Sequence, residues 1–152
     1  ASVGGNGHSA AYGIALGAES QAEAENGIAI GYDAVVSQPN SVALGSHATT
    51  NPVVQTSLIT IPNTNTTYNV NGTNPVGTVS VGSANGLRTI TNVAAGRVSE
   101  TSTDAVNGSE LYAVATEAAK HTTITTEEGS RITVDSKTNL AGGTEDGVHS
   151  RL

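Results

Sequence analysis

Four histidines are the side chains in this sequence best suited to hold a metal ion, but their spacing argues against a metal site. His8, His47, His121 and His149 are scattered, and none shows the i, i+4 spacing that places two imidazoles on one helix face. Cysteine is absent, so thiolate ligands and disulfides are excluded. We therefore predict that the chain binds no metal ion and no cofactor.

Catalysis would need a nucleophile, a base and a group that orients the base. His8, Ser9 and Glu19 supply these residue types, but no nucleophile-elbow motif brings them together. Glu23 and Glu25 have the spacing of one strand face and could act as a carboxylate pair, although solvated surface acids fit the same spacing. Trp and Phe, which stack on sugars in glycan-degrading enzymes, are absent. We predict that the protein is not an enzyme.

The distribution of charge excludes a further class of partner. Residues 1–87 contain no Lys or Arg, and all six basic residues lie from Arg88 onward. A surface without cations cannot neutralise phosphates, so we predict no nucleic-acid partner and no binding to anionic lipid. With 18 glycines and no Phe, Trp or Met, the chain must use a thin, repetitive core.

An internal repeat with a period of 14 residues organises the first half of the chain. Residues 12–17, 26–31 and 40–45 align without gaps, and residues 77–82 form a fourth copy after an interruption. Each copy alternates large and small residues with period two, as in a strand, and ends in a turn glycine. A second short strand fits near Ser20–Ala22, so each repeat predicts one coil of a parallel β-roll.

The alternation also suggests which side chains are buried. We predict a core made of two aliphatic ladders, with the alanines between them buried against another chain, because so thin a core favours self-association. The first ladder is Ile14, Ile28 and Val42, the second is Leu16, Ile30 and Leu44, and the alanines are Ala15, Ala29 and Ala43.

Four regions follow from these patterns. Residues 1–87 form the roll, interrupted by an insertion at 51–76 that predicts a projecting hairpin. Residues 88–108 form a connecting segment. Residues 109–120 form a short helix capped by Ser109 or Asn107, with a seam of apolar residues, and residues 121–152 return to strand-like alternation.

The repeats and the connecting segment resemble the trimeric autotransporter adhesins, with a YadA-like head and a neck. The head-repeat motif is matched by Asn26, Gly27, Ile28, Ala29, Ile30 and Gly31 and by Asn40, Ser41, Val42, Ala43, Leu44 and Gly45. The neck motif is matched by Asn92, Val93, Ala94, Ala95 and Gly96 and by Asp104, Ala105, Val106, Asn107 and Leu111. The insertion is similar to the head-insert hairpins of that family.

The resemblance implies a mainly β fold: a homotrimer of left-handed parallel β-rolls, a neck, a short trimeric coiled coil and the start of a β-rich stalk module. It implies a bacterial surface protein that a separate C-terminal domain anchors in the outer membrane. It also implies attachment to a host extracellular matrix protein of the collagen, fibronectin or laminin class, or to host cells, and autoagglutination. A spacer segment of the fibre without a ligand site is the alternative.

Ligand contact is expected from polar side chains between the strands, namely Glu19, Gln21, Tyr32, Asp33, Gln38 and His47. Arg88 and Arg97 flank the neck, and we expect them to bond carbonyls or to pair with Asp104 or Glu100 of a neighbouring chain. Glu110 occupies a position where the family usually has Gln. Three such carboxylates near a trimer axis would loosen the neck or bind an ion, and both outcomes stay open.

Overall fold

The computed structural model describes residues 1–4, 10–125 and 131–135, and the chain divides into two compact units. The first unit contains Ala1–Asn92 and Val98–Thr103, and the second contains Val93–Arg97 and the residues from Asp104 onward. The repeats and the insertion belong to the first unit. The helix belongs to the second.

Short parallel strands in exact 14-residue register build the roll. One sheet has the order β1-β3-β5 and the other the order β2-β4-β6-β9, and Ile14, Ile28 and Val42 lie side by side in the second sheet. The strands are β1 (Ser2–Val3), β2 (Ile14–Leu16), β3 (Gln21–Ala22), β4 (Ile28–Ile30), β5 (Val35–Val36), β6 (Val42–Leu44) and β9 (Val79–Ser80). The predicted roll, its second strand in each coil and its fourth copy are therefore confirmed.

The interior of the roll holds small side chains, which contradicts the predicted core. Ala22, Ala29, Ala34, Val36, Ala43 and Ala48 are fully buried, whereas Ile14 and Leu16 are 52% and 61% exposed. A coil of 14 residues closes on itself too tightly to hold two rows of Ile and Leu, so these rows lie on the outer face of their sheet. The alanine column accordingly faces inward, and the prediction that it is buried between chains was wrong.

Buried hydroxyls inside the roll bond to the backbone. Ser20 Oγ donates to the carbonyl of Gly17 at 2.7 Å, and Ser41 Oγ donates to Pro39 and accepts from the backbone N–H of Thr78. Thr50 Oγ1 accepts from the N–H of Ser37 at 3.0 Å. These bonds satisfy polar groups that would otherwise destabilise so narrow a core.

Left-handed backbone conformations turn the chain at the corners of the roll. Residues with φ between 53° and 62° recur every seven residues, so each coil consists of two similar halves. They are Tyr12, Glu19, Asn26, Asp33, Asn40 and His47. Asn, Asp and His adopt this conformation more readily than most residues, which explains their repeated use. Glu23 and Glu25 lie beyond β3, which ends at Ala22, so the predicted pairing on one strand face was wrong.

The insertion contains the predicted hairpin. β7 (Leu58–Ile61) and β8 (Thr66–Asn69) are antiparallel, with Ile59 opposite Tyr68. Gln55 Nε2 donates to Asn74 Oδ1 at the base, and Asn71 Nδ2 donates to the carbonyl of Glu100. The hairpin is thus tied to the first unit at its base.

The second unit is built around helix α1 (Gly108–Ala118), which Asn107 caps. It begins one residue before and ends two residues before the predicted limits. β10 (His121–Thr125) and β11 (Arg131–Asp135) then pair antiparallel, as the alternation predicted. Residues 126–130 and 136–152 of the predicted stalk module lie outside the described residues. No helix among the described residues is long and apolar enough to cross a membrane.

Candidate ligand surface on a corner of the roll

One corner of the roll gathers four of the six predicted ligand residues. Glu19, Asp33 and His47 occupy equivalent turn positions 14 residues apart, so the parallel register stacks them in one column. The backbone N–H of His47 donates to the carbonyl of Tyr32, and that of Asp33 donates to Ala18. These bonds fix the spacing of the column.

Direct contacts link the side chains in this corner cluster, which we define as Glu19, Tyr32, Asp33 and His47. His47 Nδ1 lies 3.0 Å from Asp33 Oδ2, and the rings of Tyr32 and His47 meet edge to face at 5.2 Å. The hydrogen bond between the Tyr32 hydroxyl and the Glu19 carboxylate raises the pKa of that phenol, and the negative charge of Glu19 adds to the effect. The phenol therefore stays protonated and able to donate a hydrogen bond at physiological pH.

Gln21 lies beside the cluster, whereas Gln38 does not. Gln21 shares a shallow cavity of about 360 Å³ with Glu19 and Asp33. Gln38 instead precedes Asn40, in the second column of corner residues, where Asn26 Nδ2 donates to Asn40 Oδ1 at 3.0 Å. Spacing in the sequence could not separate the two corners, because both repeat every 14 residues.

The far end of the roll is closed by Arg88. Its Nη1 donates to the carbonyl of Val81 at 2.7 Å, and its Nη2 donates to the carbonyl and hydroxyl oxygens of Ser46. The expectation that Arg88 bonds carbonyls is confirmed. An open cavity of about 530 Å³ adjoins it, lined by Thr49, Thr78, Val79 and their neighbours. Since its guanidinium is committed to the backbone, we assign Arg88 a structural role.

A network of charge-assisted hydrogen bonds holds the neck together. Arg97 donates from Nε and Nη2 to the carboxylate of Asp104 at 2.7 and 3.0 Å, and its backbone N–H adds a third bond. These bonds lower the pKa of the Asp104 carboxyl. The pairing was expected from a neighbouring chain, and the structure places it within one chain.

Glu110 takes part in a capping box that the sequence reasoning missed. Its Oε2 accepts from the backbone N–H groups of Gly96 and Asn107, while Asn107 Oδ1 accepts from the N–H groups of Ser109 and Glu110. The spacing Asn107-x-x-Glu110 was the signal that could have revealed it. Asn107 Nδ2 also donates to the carbonyl of Val93, which ties the helix start to the neck.

The remaining neck positions divide into one packed glycine and exposed aliphatics. A side chain at Gly96 would collide with the carbonyl oxygen of Ala105, so the motif requires glycine there. Asn92 adopts a left-handed turn with φ 60°. The other neck positions, all exposed, are Ala94, Ala95, Val106 and Leu111.

The geometry suits recognition and offers little for catalysis or metal binding. The described residues contain no group of three His, Asp or Glu side chains that could hold a metal ion. His8 and Ser9, considered above for catalysis, lie outside the described residues. The corner cluster presents carboxylates, an imidazole and a phenol on an exposed ridge. Such a surface forms hydrogen bonds and ion pairs with a second macromolecule.

Two protein families match this chain in the order that the structure shows. The family described as the YadA head domain repeat matches residues 9–34 and 22–48, and the coiled stalk of trimeric autotransporter adhesin matches residues 89–134. The chain belongs to the trimeric autotransporter adhesins. The resemblance of its repeats and neck is thereby confirmed, as is its mainly β fold with one short helix.

Individual relatives of this adhesin chain agree with the family. Autotransporter adhesin BtaE of Brucella suis biovar 1 is 66% identical over 47 residues, which are 31% of this chain and 6% of BtaE. The C-terminal YadA-like domain of BPSL2063 from Burkholderia pseudomallei has a similar structure, with a TM-score of 0.59 and 47% identity. That match covers 70% of this chain and 47% of the Burkholderia chain. The adhesin chain therefore spans a small part of BtaE and about half of the solved domain.

Proposed function

We propose that this chain is a non-catalytic adhesin segment that attaches bacteria to host extracellular matrix or host cells through its corner cluster. The observation that carries the proposal is the stacking of Glu19, Tyr32, Asp33 and His47 on one exposed ridge of a family fold. Matrix proteins of the collagen, fibronectin or laminin class are the proposed partners, and autoagglutination is part of the proposed role.

A homotrimer presents this ridge three times. The outer face of the β2-β4-β6-β9 sheet carries the aliphatic ladders, and Ile14, Leu16, Leu44 and Val79 are each 44–72% exposed. An apolar surface of this kind on a soluble protein marks an interface. The proposed assembly buries the ladders of three left-handed rolls against one another and leaves the corner clusters outside. Helix α1 continues the assembly as a short trimeric coiled coil.

Charge supports a partner with basic side chains. Glu19 and Asp33 are acidic, and residues 1–87 contain no Lys or Arg that would compete for them. The exposed Tyr32 ring adds an apolar surface against which a cation can pack. Three weak contacts acting together bind a fibrous target far more tightly than one. Outer-membrane anchoring through the family's C-terminal domain would place the ridge at the bacterial cell surface.

The test is binding of the purified protein to immobilised collagens, fibronectin and laminin. We expect saturable binding to one of them that falls at least about tenfold when Tyr32→Ala and Asp33→Asn are combined. Gln38→Ala, in the other corner column, is the matched control and should bind like the wild type. If the double variant and the control both bind like the wild type, the corner cluster is not the site.

A further inference from the structure

The inserted hairpin has an apolar face that its own chain leaves open. Ile59 and Ile61 share one face of β7, and Tyr68 lies on the same face of β8, directly opposite Ile59. These three side chains are 42–53% exposed, and all of residues 51–69 are exposed. The opposite face carries Leu58 and the paired hydroxyls of Thr60 and Thr67. The hairpin is therefore amphipathic.

The composition of the insertion makes this open face unusual. Residues 51–76 contain no Asp, Glu, Lys, Arg or His. Exposed strand edges are normally protected from unwanted pairing by charged side chains, above all Lys. A two-stranded hairpin is also marginally stable by itself and needs packing on one face. An uncharged hairpin with bare edges and an open apolar face thus requires a partner that covers it permanently.

A second copy of the chain meets this requirement. A host protein covers the face during attachment only, whereas a neighbouring protomer in a closed assembly is present from folding onward. Two copies also meet here without repulsion, although the chain carries a net charge of −7, because the insertion has no charge. Tethering of the hairpin at its base by Gln55 and Asn71 keeps the face within reach of a neighbour.

We infer that the face formed by Ile59, Ile61 and Tyr68 packs against a neighbouring protomer and fastens the assembly at this level of the roll. The inference rests on the homotrimer of the proposed function. It gives the insertion a role in assembly, separate from the ligand contact assigned to the corner cluster. The hairpin then acts as a clasp between chains.

Two substitutions on adjacent residues of one strand test the clasp. Ile59→Asp places a charge on the apolar face, and Leu58→Asp, at a site of nearly equal exposure, places it on the opposite face. We expect Ile59→Asp to weaken association at least about tenfold and Leu58→Asp to leave it unchanged. The measurement is sedimentation mass as a function of protein concentration, with circular dichroism to confirm that both variants are folded.

Amide hydrogen exchange on the wild-type protein gives a second measurement that needs no variant. We expect slow exchange at the amides of β7 and β8 in the assembled protein, faster on dilution below the association range. Fast exchange in the assembled protein, or equal association of the two variants, would overturn the inference. Loss of matrix binding by Ile59→Asp with its mass unchanged would instead place a host contact on this face. A wild-type monomer would refute the homotrimer itself, whichever way the variants behave.

Discussion

At the residue scale, the closely stacked coils leave no room for a side chain at the turn glycines. Gly31 has φ 130°, and a Cβ atom there would lie 2.5 Å from the carbonyl carbon of Gly45 in the next coil. Both features forbid a side chain without movement of the backbone. Each glycine of the repeat thus serves the turn and the packing of one coil on the next.

We predict that Gly31→Ala lowers the free energy of unfolding by about 2 kcal/mol or more, because strain and a backbone collision add together. Gly108→Ala is the matched control. It lies in the first turn of α1 with no atom within 4 Å of the added methyl, and helix propensity favours Ala. Urea unfolding of both variants checks the prediction. Equal midpoints would show that the coils tolerate a side chain at this turn.

The ion pair of Arg97 and Asp104 gives a prediction about pH. The pKa of Asp104 is lowered by hydrogen bonds from the guanidinium and the backbone N–H of Arg97. A carboxyl with a lowered folded-state pKa stabilises the fold fully above its unfolded value of about 3.9, and that contribution disappears as the pH falls through the folded value.

We therefore expect Asp104→Asn to lower the melting temperature at pH 7, with a difference from the wild type that shrinks as the pH falls below about 4. Glu100→Gln, whose side chain is exposed, serves as the control and should match the wild type at both pH values. Thermal melts across this pH range make the measurement. A difference that stays constant into acid would mean that the pair contributes nothing through its charge.

Residue-level roles were only partly readable from the sequence. The carbonyl contacts of Arg88 were expected, because a lone cation beside an uncharged roll must find acceptors. The capping box of Glu110 was missed, although the spacing from Asn107 carries it, because attention to a trimer axis displaced the local interpretation. The contact between Tyr32 and His47 joins residues 15 apart, and the seven-residue recurrence of corner turns that sets it became clear only from backbone angles.

At the element scale, alternation located the strands and could not tell inside from outside. The triplet at β4 puts Ile28 and Ile30 on one face and Ala29 on the other, and either face satisfies the pattern. Large residues were assigned to the interior by analogy with thick sandwiches. The width of a 14-residue coil decides otherwise, since Val36 is the largest side chain that is fully buried.

Overpacking tests this inverted core. We expect Ala43→Leu to destabilise the roll by about 2–3 kcal/mol, because Ala43 is fully buried in a space that cannot expand without separating the sheets. Ala18→Leu, at an exposed corner position, is the control and should change little. Chemical denaturation compares the two. A stable, well-folded Ala43→Leu variant would contradict the assignment of alanine to the interior.

At the scale of the whole molecule, composition predicted association more reliably than it predicted any binding site. A chain with a core of Ala, Ser and a few Val buries too little apolar surface to be stable alone, and its aliphatic ladders lie outside. Threefold assembly resolves both features at once. The host partner does not follow from composition, because recognition depends on a few polar side chains at one corner.

The central claim is that threefold presentation of the corner cluster makes this chain an adhesin. The most direct measurement compares matrix binding of the wild type with that of Leu44→Asp, which charges the exposed ladder and should yield a folded monomer. At equal protomer concentration, we predict saturable binding by a trimer and binding at least about 100-fold weaker by the monomer. A folded wild-type trimer that binds none of the matrix proteins, or a monomer that binds equally well, would contradict the account.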